Sequence, residues 1–212
     1  MTLTLYFLRH GEIPYTSTGA YCGSLDPELS PEGQQMAESF AEAYQAVPWA
    51  GIYVSPMKRT IATAKPLCAA TGIEMQLREG LKEMDFGKWE GNTPNWVKEH
   101  HLDDYINWMT ETAWNPPTGG ETAVEVASRA MPTIAEIDAK FSSGNVLIVS
   151  HKTTIRIILC NLLGIDLGRY RDRLEMRVSS VSVVKFGAYG PMLQRLGDRT
   201  HLNRELQSRE EN

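Results

Sequence analysis

No apolar run in this 212-residue chain approaches the roughly 18 residues needed to cross a bilayer as a helix. A membrane-spanning reading is therefore set aside. Cysteine is scarce: Cys22, Cys68 and Cys160 are odd in number, and none of their spacings suits a metal site. No signal-peptide pattern is read, so free thiols in a reducing, cytoplasmic setting are expected rather than a disulfide framework. A cationic excess is missing too. With 21 Lys and Arg against 26 Asp and Glu, the net charge of -5 gives no global field for nucleic acid or an anionic membrane. An anion site on such a chain has to be local. Internal repeats and low-complexity tracts are also lacking, which excludes solenoid and collagen-like architectures.

What is present is a core-forming composition, 42% hydrophobic and 22% charged, read as one domain over residues 1–212. Strand-like runs alternate with helical patterns. Thr4 to Leu8 is the first strand, and Ser30-Pro31-Glu32-Gly33 is an N-cap signal followed by Met36, Phe40, Ala43, Tyr44 and Val47 at helical spacing. The run "GIYVS" (51–55) and a short run at 73–77 flank a helix that starts near Pro56, while "NVLIVSH" (145–151) leads into a helix ending at Gly164. "SSVSVVKFG" and "PMLQRLG" read as a late hairpin about Ala188-Tyr189-Gly190. This alternation predicts an α/β fold: a three-layer α/β/α sandwich with a mostly parallel sheet and an antiparallel edge strand. From about 91 to 120 the chain is Trp-rich and acidic without a strand pattern, which predicts a helical lid returning through Pro-Pro-Thr-Gly-Gly to a helix near Glu121. The polar tail, about 203–212, is expected to fray.

Open α/β sheets gather ligands at the C-terminal ends of their strands. Here those ends carry Arg9-His10-Gly11, then Ser55-Pro56 with Arg59 one turn on, then Ser150-His151-Lys152. Two arginines and two histidines converging there point to a phosphate pocket, because the guanidinium fork matches phosphate oxygens and helix N-termini add N–H donors. A histidine can attack phosphorus through one ring nitrogen when a backbone carbonyl holds the other, with nearby cations stabilising the oxygens in transfer. That chemistry calls for no metal and no cofactor, and none is expected. It does call for an acid to protonate the leaving alkoxide. Glu83, Asp85 and Glu90 are the candidates, and spacing does not rank them. His100 and His101, beside Asp103 and Asp104, are read as a solvated face rather than a metal cluster. Trp89, Trp96, Trp108 and Trp114 are read as core and lid packing, since no basic stripe accompanies them. Lys152 is placed at the pocket edge, Arg156 on the surface, and Gly11 where backbone must approach a phosphoryl group.

The motifs "LRHGE" (8–12), "SPMKRTIATA" (55–64), "LKEMDFGKWEG" (81–91), "GGET" (119–122) and "VSHKTTIR" (149–156), in this order and spacing, resemble the histidine phosphatase superfamily, the phosphoglycerate mutase-like fold. The resemblance covers roughly residues 3–186. It implies that His10 is the phosphorylated nucleophile, that Arg9 and Arg59 bind the phosphoryl group, that His151 stabilises the transition state and that Glu83 is the proton donor. It also implies a backbone N–H from Lys152. Two departures stand out. Tyr15-Thr16 occupy the place of a Trp-Asn pair, which leaves the Thr16 hydroxyl for the phosphate, and Ala20-Tyr21-Cys22-Gly23 replace Arg-Tyr-Gln-Gly, which puts Cys22 and Gly23 on the substrate rim.

Within that resemblance a hydrolase of small-molecule phosphomonoesters is preferred to a mutase. Mutases carry Arg-His-Tyr where Met84-Asp85-Phe86 stands, and residues 92–117 contain no Arg. "DFGKWEG" is similar to broad-specificity and α-ribazole phosphatases, whereas "LGDRTHL" (196–202) is similar to the ending of metal-independent phosphoserine phosphatases. The latter nominates His201, with Lys152, for a substrate carboxylate. Phosphoserine or a similar metabolite ranks first, ahead of α-ribazole phosphate and sugar phosphates. A non-catalytic phosphate-binding module predicts the loss of a chemical group, and none is lost; a phosphatase for protein phosphohistidine predicts a shorter chain without the lid. A homodimer is left open.

Overall fold

In the computed structural model, which describes residues 2–209, β1 (Leu3–Arg9) turns Leu3, Leu5 and Phe7 to one side and Leu8 to the other. That period of two decides the layers. In chain order the remaining strands are β2 (Trp49–Val54), β3 (Met75–Leu77), β4 (Gly144–Ser150), β5 (Val181–Gly187) and β6 (Gly190–Asp198), arranged across one sheet as β3-β2-β4-β1-β5-β6. The first four in that order are parallel. The late hairpin supplies the edge: β5 runs antiparallel to β1, and β6 antiparallel to β5.

The helices are α1 (Pro31–Tyr44), α2 (Lys58–Thr71), α3 (Pro94–His100), α4 (Leu102–Thr110), α5 (Ala123–Lys140), α6 (Lys152–Leu163), α7 (Tyr170–Arg173) and α8 (Arg204–Ser208). Phe40, Ala41, Ala64 and Leu67 of α1 and α2 pack on Leu8, Ile52, Val54, Leu147 and Val149. The opposite face meets α5 and α6 through Val126, Ala130, Ile134, Ile155 and Ile158, and this core continues into Trp89 and Trp108 of the lid region. Helix limits follow local chemistry. Ser30 Oγ accepts the Gly33 N–H at 3.0 Å with Pro31 in the first turn, and Thr122 and Glu125 form a capping box for α5. Gly72 and Gly164, at φ 71° and 66°, close α2 and α6 in the left-handed region. Among the described residues, no helix is long and apolar enough to cross a membrane.

Two expectations are revised. The tail does not fray over its described part: α8 buries Leu206, and Arg209 forks onto Glu12 at 2.6 and 2.8 Å. Residues 210–212 lie outside the described residues. Trp114 is not core, being 68% exposed, whereas Trp89 and Trp108 are buried. Gly11 also has a packing reason to be glycine, since a Cβ there would meet the Gly33 carbonyl oxygen of α1 at 2.5 Å.

Candidate active site

The β1 and β4 ladders stay in register to the pair Arg9 and Ser150, and the next residue on each strand is a histidine. The His10 amide donates to Ser150 O at 3.1 Å, and the two rings lie 5.2 Å apart between centroids. His10 Nδ1–H donates to Gly11 O at 2.7 Å, which leaves Nε2 as the nitrogen with a lone pair. Burial, then Arg59 and Arg9, hold this imidazole well below its ordinary pKa of 6.5, with the Gly11 bond opposing them. The ring is therefore neutral and nucleophilic at neutral pH.

Arg59 lies fully buried behind the pair. Its Nε donates to His151 Nδ1 at 3.2 Å, Nη1 to Leu25 O at 2.7 Å and Nη2 to Gly23 O at 3.0 Å. With Nδ1 accepting, His151 carries its proton on Nε2 and donates it to Ser55 Oγ at 2.8 Å. Burial, Arg59 and His10 keep His151 neutral as well. Thr63 Oγ1 completes the support by accepting the Gly11 N–H at 3.0 Å while donating to Arg59 O at 2.7 Å.

Geometry separates the three candidate carboxylates. Glu83 accepts from the Met84, Thr153 and Thr154 amides at 2.9, 3.1 and 3.2 Å. The last two belong to the first turn of α6, where N–H groups have no partner within the helix, and the N-cap residue, His151, gives no side-chain cap. Glu90 instead ties down a loop, accepting from Gly23, Ser24 and Phe86 amides, and Asp85 accepts from Gly87 N. Arg129 braces the Glu83 loop, donating to Gly80, Lys82 and Glu83 carbonyls while forking onto Glu121 of "GGET". Glu121 in turn accepts from the Asp85 amide, so that motif is scaffolding for the Glu83 loop.

A cavity of about 320 Å³ opens at this end of the sheet. Arg9, His10, Thr16, Cys22, Glu83 and Lys152 line it together. Thr16 Oγ1 accepts the Ile13 amide at 3.2 Å, which leaves its hydroxyl proton uncommitted to that bond. Burial pushes the Cys22 thiol up to about 11, so it stays protonated. Arg59 and His151 stand beneath the cavity rather than in its wall. Gly23 also does not line it: its carbonyl holds Arg59, and a Cβ would meet Met84 O at 1.9 Å. His201 is elsewhere, wedged edge-on against Phe40 and Tyr44 of α1 with Nε2 at Ser179 Oγ. Arg156, expected on the surface, lines the cavity instead. Lys152 and Arg156 are four residues apart on α6, so they share a face, and that spacing was the available signal. Tyr170 and Arg171 of α7 also line the wall, with the Arg171 guanidinium 3.7 Å over the Trp108 ring. Their segment, 165–178, carries no periodic pattern in the sequence. His100 Nδ1 donates to Trp96 O, and no metal-binding group of three His, Cys, Asp or Glu is found among the described residues.

Comparison with known proteins places this arrangement. Phosphoserine phosphatase 1 of Hydrogenobacter thermophilus is 32% identical over 166 residues, covering 78% of this chain and 79% of its own. A glucosyl-3-phosphoglycerate phosphatase of Mycolicibacterium vanbaalenii is 29% identical over 173 residues, 78% of this chain and 76% of the relative. The solved structure of Bacillus stearothermophilus YhfR superposes with a TM-score of 0.86 at 26% identity, covering 94% of this chain and 98% of that one. The family model for the histidine phosphatase superfamily (branch 1) matches residues 5–199. The strand-end histidines, the mostly parallel sheet and these matches lead to one conclusion: the chain belongs to the histidine phosphatase superfamily and is a phosphatase of that family.

Proposed function

We propose that the chain hydrolyses a small organic phosphomonoester through a phosphohistidine on His10, without a metal. The observation that carries this is the Nδ1–H bond to Gly11 O at 2.7 Å, which frees Nε2 on a residue sharing one cavity with Arg9 and Glu83. In the first step Nε2 bonds to phosphorus as the ester P–O bond breaks, and Glu83 gives its proton to the leaving alkoxide. Arg9 attracts the phosphoryl oxygens, and Arg59 and His151, just behind, add to the positive field. In the second step water attacks phosphorus and gives a proton to Glu83 as the P–N bond breaks. Inorganic phosphate leaves and neutral His10 returns. Phosphoserine or a related metabolite is the first-choice substrate, because the phosphoserine phosphatase relative covers most of both chains.

His10→Ala is expected to lower kcat on p-nitrophenyl phosphate by several orders of magnitude. Wild-type enzyme quenched during turnover should carry a phosphoryl group that is labile to acid and stable to base. Near-normal turnover by the variant, or a phosphoenzyme on another residue, overturns the mechanism.

A further inference from the structure

The cavity wall holds more positive charge than a phosphoryl group and Glu83 account for. Arg9, Lys152, Arg156 and Arg171 line it, against Glu83 as the one carboxylate among the described lining residues. Arg9 belongs to the phosphoryl end beside His10, and its Nη1 donates to Met176 O. Arg171 is engaged with the Trp108 ring and Met109 Sδ. Arg156 differs: its side chain has no hydrogen-bond or ion-pair partner in the protein among the described residues, and its Nε is buried. The charges it feels most are Arg9, Tyr170, Glu83 and Arg171, all on the same cavity. A partly buried guanidinium lacking a counter-ion is costly, and folds retain one where a ligand completes it. Two more buried donors on that wall, Tyr170 Oη and Trp108 Nε1, also lack protein partners.

We propose that Arg156, backed by Arg171, receives a carboxylate on the substrate, so that the enzyme acts on phosphorylated hydroxy or amino acids. The proposal rests on the phosphatase reading above and deepens it. A planar fork matches a carboxylate in a bidentate pair, and a cavity of about 320 Å³ suits a compact metabolite with its two anionic ends close together. Residue 156 lies one turn beyond Lys152 on α6, the helix whose first amides hold Glu83. One helix therefore positions the acid at its tip and the carboxylate clamp one turn deeper.

The test uses matched substrates that differ by a carboxylate: phosphoserine against phosphoethanolamine, and 3-phosphoglycerate against glycerol 3-phosphate. Wild-type enzyme should favour the carboxylated member of each pair in kcat/KM, and Arg156→Met should cut that preference by roughly 10- to 100-fold. Arg156→Lys should restore part of it, and Tyr170→Phe should reduce it less. A wild-type preference near unity, a preference for bisphosphorylated sugars, or a ratio unchanged in Arg156→Met overturns the proposal. Turnover of p-nitrophenyl phosphate by wild-type enzyme is the separate check on the phosphatase reading, since that ester carries no carboxylate.

Discussion

At the scale of single residues, the proposed mechanism gives the proton to Glu83 and the nucleophile to His10. Glu83→Gln should therefore depend on the leaving group. Alkyl phosphates, whose alkoxides need a proton, should lose about 10²–10⁴ in kcat, and p-nitrophenyl phosphate, whose phenolate does not, should lose much less. Equal losses on both would assign Glu83 to positioning instead. The placing of these residues was legible in the sequence, because strand ends are readable from apolar runs, and Arg9, His10 and His151 stand directly at them. Thr16, Cys22 and Lys152 also line the cavity as expected. The choice among Glu83, Asp85 and Glu90 was not legible from spacing. It turns on which carboxylate meets the tip of α6 and which meets the Gly23 loop, and those contacts join segments about 70 positions apart. His201 misled for a related reason: a motif can fix a residue's position in the chain without fixing the face of the sheet it packs on.

Secondary elements carry the support. Thr122 caps α5 in a reciprocal box with Glu125 and follows Glu121, whose carboxylate holds Arg129. Thr122→Ala should cost about 0.5–2 kcal/mol of unfolding free energy, read as a lower denaturant midpoint at unchanged slope. A shift outside that range would show that the cap also governs the Arg129 brace. The lid helices α3 and α4 were recognisable as an excursion without strands, and the start of α3 follows from Thr93 as a cap and Pro94 in the first turn. What could not be read is that α7, only four residues long, reaches the cavity from the other side. Short helices owe their place to tertiary packing rather than to periodicity. Trp108→Ala should both destabilise the fold, by roughly 3–5 kcal/mol, and raise KM, because the buried indole is also the platform for Arg171. Destabilisation with KM unchanged would remove Arg171 from substrate binding.

Over the whole molecule, two buried histidines, His10 and His151, and the half-buried His201 couple stability to acidity. Burial, outweighing Asp198, brings His201 down to about 4 from 6.5, and burial first of all brings His10 and His151 well below that ordinary value. In each case the unfolded chain takes the proton first as pH falls. Their effect on stability is constant above about pH 6.5, and stability drains away below it, for His201 between 6.5 and about 4. His201→Gln should lose less on acidification from pH 7 to 4.5, by about 1–3 kcal/mol in the chemical-denaturation free energy. A parallel loss in both proteins would contradict the burial of this ring. The layered sandwich itself was the most legible level, since alternation of strand and helix leaves few ways to cover a parallel sheet.

The ladder between β1 and β4 has one more consequence. The two histidines follow its last rung, Arg9 and Ser150, and their rings stand 5.2 Å apart, close to the repeat of about 4.8 Å between neighbouring strands. The spacing of their backbones is thus inherited from peptide geometry, a gauge that side-chain substitution elsewhere does not stretch, while the rings' own contact depends on their rotamers as well. Under the proposed mechanism, the nucleophile and the ring behind it start from a base that the backbone sets. Sequence drift can reshape the rim around it while the ruler keeps its length.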